Sequence, residues 1–178
     1  MFFFINHLPH TSVIDAIALT LSGVGTFGIG WFVVGAWLIL REERKDHWFW
    51  LPLLTTGTIA WFLAEILFKN IFMRLRPTAD MGAIIIGLNC CGYAFPSGHA
   101  TIAFAMASLL ANKEPRWRWI FYLLAILIVL SRIYLGKHFP LDVIVGGFLG
   151  LGIGFSITRL YNHMIYKRNR KRAHAWKR

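Results

Sequence analysis

Cysteine is nearly missing from this chain, and acidic residues are few. The two cysteines, Cys90 and Cys91, are adjacent in a sequence of 178 residues, which rules out a disulfide framework and carries little information about redox compartment. They read as loop residues without a role. Only 8 Asp and Glu stand against 19 Lys and Arg, and charged residues make up 15% of the chain. No Lys or Arg occurs between Met1 and Leu40, so the charged start of a cleavable signal peptide is missing and none is expected. No internal repeat and no second domain is visible.

Apolar residues are what the chain has in excess. They make up 57% of the sequence, and the mean hydropathy is +0.55, whereas an ordinary soluble domain is roughly 45–50% apolar. A soluble core of this size cannot bury the surplus, and eight Trp suit the aromatic belts of a membrane protein. The expected fold is therefore all-α: a polytopic membrane bundle, residues 1–178 forming one domain. Crossing a bilayer takes ~20 residues per helix. Five segments are long enough or nearly so, at about 22–40, 48–68, 97–112, 117–130 and 140–161. Ahead of them, Ser12-Val13-Ile14-Asp15 resembles a capping box and predicts a short interfacial helix. The Gly- and Pro-punctuated stretch from Asn70 to Phe95 reads as an external loop.

Five alternating spans divide the basic residues unequally. Arg41, Arg44, Lys45, Lys113, Arg116, Arg118, Arg159 and seven more from Lys167 to Arg178 fall on one side, fourteen in all. Lys69, Arg74, Arg76, Arg132 and Lys137, five in all, fall on the other. The positive-inside rule then puts the amino terminus outside and the carboxyl terminus in the cytoplasm of a cell (plasma) membrane. The basic tail, about residues 163–178, reads as a contact with anionic lipid and not with nucleic acid.

Three clusters share the outer face. Lys69 precedes Arg76-Pro77 by seven residues; Pro96-Ser97-Gly98-His99 opens the third span; Ser131-Arg132, His138 and Asp142 join the fourth to the fifth. The third and fifth spans both present amino-terminal ends outward, each marked by a proline, and free N–H groups there attract anions. With Lys69, Arg76 and Arg132 added, the expected ligand carries at least two negative charges. Phosphate fits, since the arginine fork matches its oxygens. Two histidines and a carboxylate exceed what binding alone needs. His138 and Asp142, four apart at a helix start, face the same way.

Together these clusters resemble the three-part signature of the type 2 phosphatidic acid phosphatase family, which shares its site with bacterial acid phosphatases and vanadium haloperoxidases. All eleven defining residues are present in order and at the family's internal spacings. The likeness covers the chain from Lys69 onward; the first span and the tail match only generically. The resemblance implies that His138 attacks phosphorus to form a phosphohistidine and that Asp142 holds its tautomer. It implies that His99 protonates the leaving alkoxide and then deprotonates water, which needs the pKa values of the two histidines to be set apart. Lys69, Arg76, Ser97, Gly98 and Arg132 map to its phosphate ligands, and neither a metal nor another cofactor is implied.

With little chain outside the membrane to recognise a soluble molecule, the expected substrate is a lipid phosphomonoester or diphosphate. Undecaprenyl pyrophosphate, phosphatidylglycerophosphate and phosphatidic acid are the types implied. The rivals are a lipid phosphotransferase with the same site and a non-catalytic lipid-phosphate binder or flippase; the complete His138, Asp142 and His99 set argues against the second. Arg74 and Lys137, outside the signature, read as snorkelling anchors. Glu65, four residues before Lys69, is expected to face the bundle interior and aim that lysine. Gly146, Gly150 and Gly154 predict close helix packing, and Ala100, Ala103, Ala107 and Ala111 place the third span centrally.

Overall fold

A computed structural model describes residues 1–41, 48–87 and 92–175. Among them there is no strand. Cys90, Cys91 and most of the charged stretch after Arg41 lie outside the described residues, and so do their expected roles.

The centre of the bundle is α6 (Gly98–Lys113). Its small residues, Ala100, Ala103, Ala105, Ala107 and Ala111, leave room for neighbours on every side, and all five are buried. It packs against α2 (Ser12–Gly25), α3 (Ile29–Arg41), α4 (Trp50–Trp61), α7 (Arg118–Tyr134) and α8 (Pro140–Ala175). The tightest seam is with α8, where Gly146, Gly150 and Gly154 recur at one-turn spacing. A β-carbon on Gly150 would overlap the Thr101 carbonyl, and one on Gly154 the Ala105 carbonyl. Lipid tails are as apolar as leucine, so such backbone approach supplies the van der Waals contact that holds helices together in a bilayer.

The outer surface carries the apolar surplus. Leu123 and Ile126 on α7, and Ile144, Phe148 and Phe155 on α8, are exposed, Phe148 to 71%. Water would not tolerate this surface; lipid does. Trp50–Phe72, Pro115–Tyr134 and Pro140–Arg168 are each long and apolar enough to span. At 16 residues, α6 extends only ~24 Å and is enclosed by its neighbours. The protein is a multi-pass membrane protein.

The amino-terminal third departs from expectation. The first span is not one helix from residue 22 to 40. Instead α2 and α3 are joined by a 3-10 turn over Thr26–Gly28 and meet at 62°. The interfacial helix is correspondingly longer than expected, and its cap is Thr11, whose hydroxyl accepts from the Ile14 N–H at 3.2 Å. The break falls where Gly28 takes a left-handed φ of 74°, a conformation that costs glycine little. Before it, α1 (Phe2–Asn6) pins the long loop that precedes α6. Buried Asn6 donates to the carbonyls of Ile84 at 2.8 Å and Tyr134 at 2.9 Å, and its side-chain oxygen accepts from the Ile84 N–H at 2.8 Å. One amide thus satisfies three backbone groups that burial would otherwise leave unpaired.

The basic carboxyl-terminal stretch is also more ordered than a tail, since α8 runs unbroken for 36 residues to Ala175, or ~54 Å. This exceeds the ~30 Å hydrocarbon core, so its basic end projects beyond the bilayer.

Candidate active site

Four chain segments deliver the signature residues to one end of the bundle. The span that starts as α4 loosens into a π-helix over Phe62–Phe68 before one last α-turn, α5 (Lys69–Phe72). Such π segments occur preferentially at functional sites. Here the π turns carry Glu65 and present Lys69, whose Nζ donates to the Glu65 carboxylate at 2.6 Å, so the expected ion pair is present. Met73 ends the helix at φ 46°, left-handed although it is not glycine, and turns the chain back across the site through Arg74 and Arg76.

Six of the eight expected site residues line a single cavity of about 250 Å³: Lys69, Arg76, Gly98, His99, Arg132 and His138. Glu65, Thr26, Trp61 and Ile102 complete its wall. The other two, Ser97 and Asp142, stand behind it. Ser97 is the N-cap of α6, its hydroxyl accepting from the Ala100 N–H at 3.4 Å. The Ser97 N–H donates to the Asp142 carbonyl at 2.9 Å and so ties the starts of α6 and α8 together. Of the two helix amino termini expected to face an anion, only that of α6 borders the cavity. That of α8 is capped by its own Asp142, which accepts from the Phe139 N–H at 2.8 Å.

His138 sits in the short loop between α7 and α8 with 1% of its side chain exposed. Its Nδ1 lies 2.8 Å from the Ala94 carbonyl oxygen. A carbonyl only accepts, so Nδ1 carries the proton and Nε2 is left with a free lone pair. The tautomer is therefore set by Ala94 and not, as the family pattern suggests, by Asp142, whose nearer oxygen is 3.8 Å from Nδ1. Burial, and then the charges of Arg132, Arg76 and Lys69, hold this imidazole well below the ordinary histidine range, opposed weakly by the Ala94 bond.

Three further placements lay beyond sequence reasoning. Arg74 is no snorkelling anchor: its guanidinium donates to Asp142 at 2.8 Å and lies 4.7 Å over the Phe139 ring. Lys137 is no anchor either. It is 4% exposed and donates to the Gly87 carbonyl at 3.1 Å. The bent amino-terminal segment reaches the site as well. Ser22 accepts from Arg132, and the Thr26 hydroxyl is 3.4 Å from His99 Nε2. A β-carbon on Gly25 would press on Ile128 and on the His99 ring. No motif marks Ser22, Gly25 or Thr26; the only signal is small residues in an otherwise bulky span.

Residues 48–166 match the PAP2 superfamily. The chain is 32% identical over 146 residues to an undecaprenyl-diphosphatase of Sulfolobus acidocaldarius, covering 81% of this chain and 69% of that one. It is 27% identical over 178 residues to a lipid A 4'-phosphatase of Porphyromonas gingivalis, covering 96% and 74%. The crystal structure of Aquifex aeolicus LpxE superposes with a TM-score of 0.69 at 25% identity, over 89% of this chain and 92% of that one. The matched region contains all three motif clusters and the whole cavity wall except Thr26, and on that basis the chain belongs to the PAP2 superfamily.

Proposed function

We propose that this membrane lipid phosphatase cleaves a phosphomonoester or diphosphate of a lipid through a phosphohistidine on His138, at the extracytoplasmic surface of the plasma membrane. The observation that carries the reading is the cavity itself, which two histidines line together with Lys69, Arg76 and Arg132 at one end of the bundle. The phosphoryl oxygens sit against these three cations and the first N–H groups of α6 beyond Ser97 and Gly98. All of these donors stabilise the charge that spreads over the equatorial oxygens in the transition state.

His138 Nε2 attacks phosphorus with its free lone pair as the P–O bond to the lipid breaks. His99 gives its proton to the departing oxygen. In the second half His99 takes a proton from water, the resulting hydroxide attacks phosphorus, and the P–N bond breaks to release phosphate. A diphosphate substrate leaves as the lipid monophosphate; a monoester leaves as the alcohol. Trp61 and Ile102 on the cavity wall give the lipid's first apolar atoms a surface to follow between helices.

Orientation follows from charge. Each of the five basic residues at the site end has local work: Lys69, Arg76 and Arg132 line the cavity, Arg74 bonds Asp142 and Lys137 bonds the Gly87 carbonyl. None of them competes with the positive-inside bias of the far end, where Arg41, Lys113, Arg116 and Arg118 gather with the basic end of α8 against anionic lipid.

The test is phosphate release by purified protein from a panel of prenyl diphosphate, phosphatidylglycerophosphate, phosphatidic acid and lipid A. The same assay, with a water-soluble aryl phosphate, is run on sealed right-side-out and inside-out vesicles. Release from at least one lipid, activity that survives EDTA and falls with vanadate, and aryl phosphate cleaved only by right-side-out vesicles are expected. The three cavity cations supply the positive charge that a metal would otherwise bring, and vanadate adopts the five-coordinate geometry of the transition state. Magnesium-restored loss of activity in EDTA, or cleavage confined to inside-out vesicles, contradicts the reading.

A further inference from the structure

We propose, on the reading of His138 as nucleophile, that Arg74 is a positioning residue for the reaction, holding the nucleophile's loop by its main chain and neutralising Asp142 by its side chain. Two short chains of bonds converge on it. Along the backbone, the Ala94 N–H donates to the Arg74 carbonyl at 2.7 Å, and the Ala94 carbonyl accepts from His138 Nδ1 at 2.8 Å. Along the side chain, the guanidinium donates to Asp142 Oδ1 at 2.8 Å, and the other carboxylate oxygen accepts from the Phe139 N–H at 2.8 Å. Arg74 thus fixes the residue that sets the His138 tautomer and the residue that caps the helix following His138.

The charge arrangement gives the side chain a second effect. Asp142 is fully buried, and Arg74 is 37% exposed. A buried carboxylate needs a partner, and two groups stand close enough to be one, Arg74 and the imidazole of His138. His138 Nδ1 stands 3.8 Å from Oδ2, farther than Arg74 stands from Oδ1. While Arg74 holds the carboxylate, its negative charge is offset and does not draw a proton onto His138. The other ionisable groups lining the cavity with His138 are Glu65, whose carboxylate is held by Lys69 at 2.6 Å, and then Lys69 from α5, Arg76 from the following segment, His99 from α6 and Arg132 from α7. The cations Lys69, Arg76 and Arg132 oppose a further positive charge there. Asp142 is therefore the carboxylate nearest the nucleophile and able to favour its charged form, and Arg74 offsets it, in addition to the burial and the cavity cations that already disfavour a charged His138. Arg74 is not among the cavity-lining residues, so it acts through its neighbours and not on the substrate.

The experiment is steady-state kinetics against pH for R74Q, R74K, D142N and the double variant R74Q/D142N, with elution in detergent checked for each. In R74Q, kcat is expected to fall between about 10- and 100-fold, the range a displaced catalytic geometry produces, with KM little changed. The acid limb of kcat/KM moves to higher pH, because the unpaired carboxylate now favours charged His138. Adding D142N to R74Q removes that carboxylate and returns the limb toward its original position. R74K keeps the charge and holds the limb near wild type even where its poorer geometry lowers kcat. Wild-type kcat in R74Q, or a lowered kcat with an unmoved acid limb, overturns the proposal. So does a rise in KM alone, which would make Arg74 a substrate contact. Acid-labile phosphate on wild-type protein is measured alongside. Its absence would sink the His138 reading itself, whereas its presence with an indifferent R74Q would sink only the role of Arg74.

Discussion

Removing either histidine stops lipid turnover, but the two losses differ in what rescues them. His138→Ala is expected to abolish phosphate release from every substrate, because it removes the imidazole whose Nδ1 proton is held by the Ala94 carbonyl, leaving Nε2 free to attack. Lys69 is paired with Glu65, and Arg76 and Arg132 are permanently charged. His99→Ala removes a proton donor, worth typically 10²- to 10⁴-fold to a poor leaving group. Lipid phosphomonoesters, which expel an alkoxide, are expected to show a loss of that size. An aryl phosphate, whose leaving group needs little protonation, is expected to undergo the first step at close to the wild-type rate in His99→Ala. The measurement is a burst of aryl alcohol in stopped-flow, one equivalent per site, followed by slow turnover as water attack lacks its base. Equal losses for lipid and aryl substrates in His99→Ala would show that this residue does something other than donate a proton.

A single methyl group is expected to have a comparably large effect at Gly98. A β-carbon there would overlap the Glu65 carboxylate, and the shift this forces disturbs the 2.6 Å bond by which the same carboxylate holds Lys69. The same methyl group would cover the first N–H groups of α6, the ones that meet the anion. Gly98→Ala should therefore lower kcat/KM by about 100-fold or more, as ångström-scale misplacement of a reacting group does. The variant should still elute as folded protein, since the rest of α6 is untouched. Glu65→Gln makes the complementary case. It keeps the shape, loses the charge and is expected to weaken only the hold on Lys69, with a smaller loss. Near wild-type kinetics in Gly98→Ala would mean that the phosphate is not bound at the head of α6.

Much of this site was legible because its residues are chemically distinctive and closely spaced. Lys69, Arg76, His99, Arg132 and His138 are the kinds of residue a lipid-buried segment does not carry without reason, and alternating spans bring them to one depth. The glycine ridge on α8 and the alanines of α6 were legible for a related reason, since small residues at one-turn spacing have meaning only where another helix comes close. What was not legible depends on distances that no spacing encodes. The family resemblance implied that Asp142 holds the His138 imidazole, yet the helix cap at Phe139 and the guanidinium of Arg74 occupy the carboxylate. The imidazole turns instead to a backbone carbonyl, a partner with no side-chain signature. The bend after α2 has no mark in the sequence, because Thr26 to Gly28 lie inside an apolar run that satisfies the length criterion for a continuous span. Arg74 and Lys137 read as anchors because any cation near a membrane surface does; only the folded loop shows them turned inward.

The central claim is a covalent bond between phosphorus and His138, and trapping it is the most direct test. Wild-type protein is mixed with lipid phosphate labelled in its terminal phosphoryl group and quenched in denaturing base within one turnover, and the label is mapped by peptide. The account predicts acid-labile, base-stable label on the peptide that contains His138. It predicts more label in His99→Ala given an activated aryl phosphate, and none in His138→Ala. Label that persists in His138→Ala, or that maps to the His99 peptide, would contradict the account.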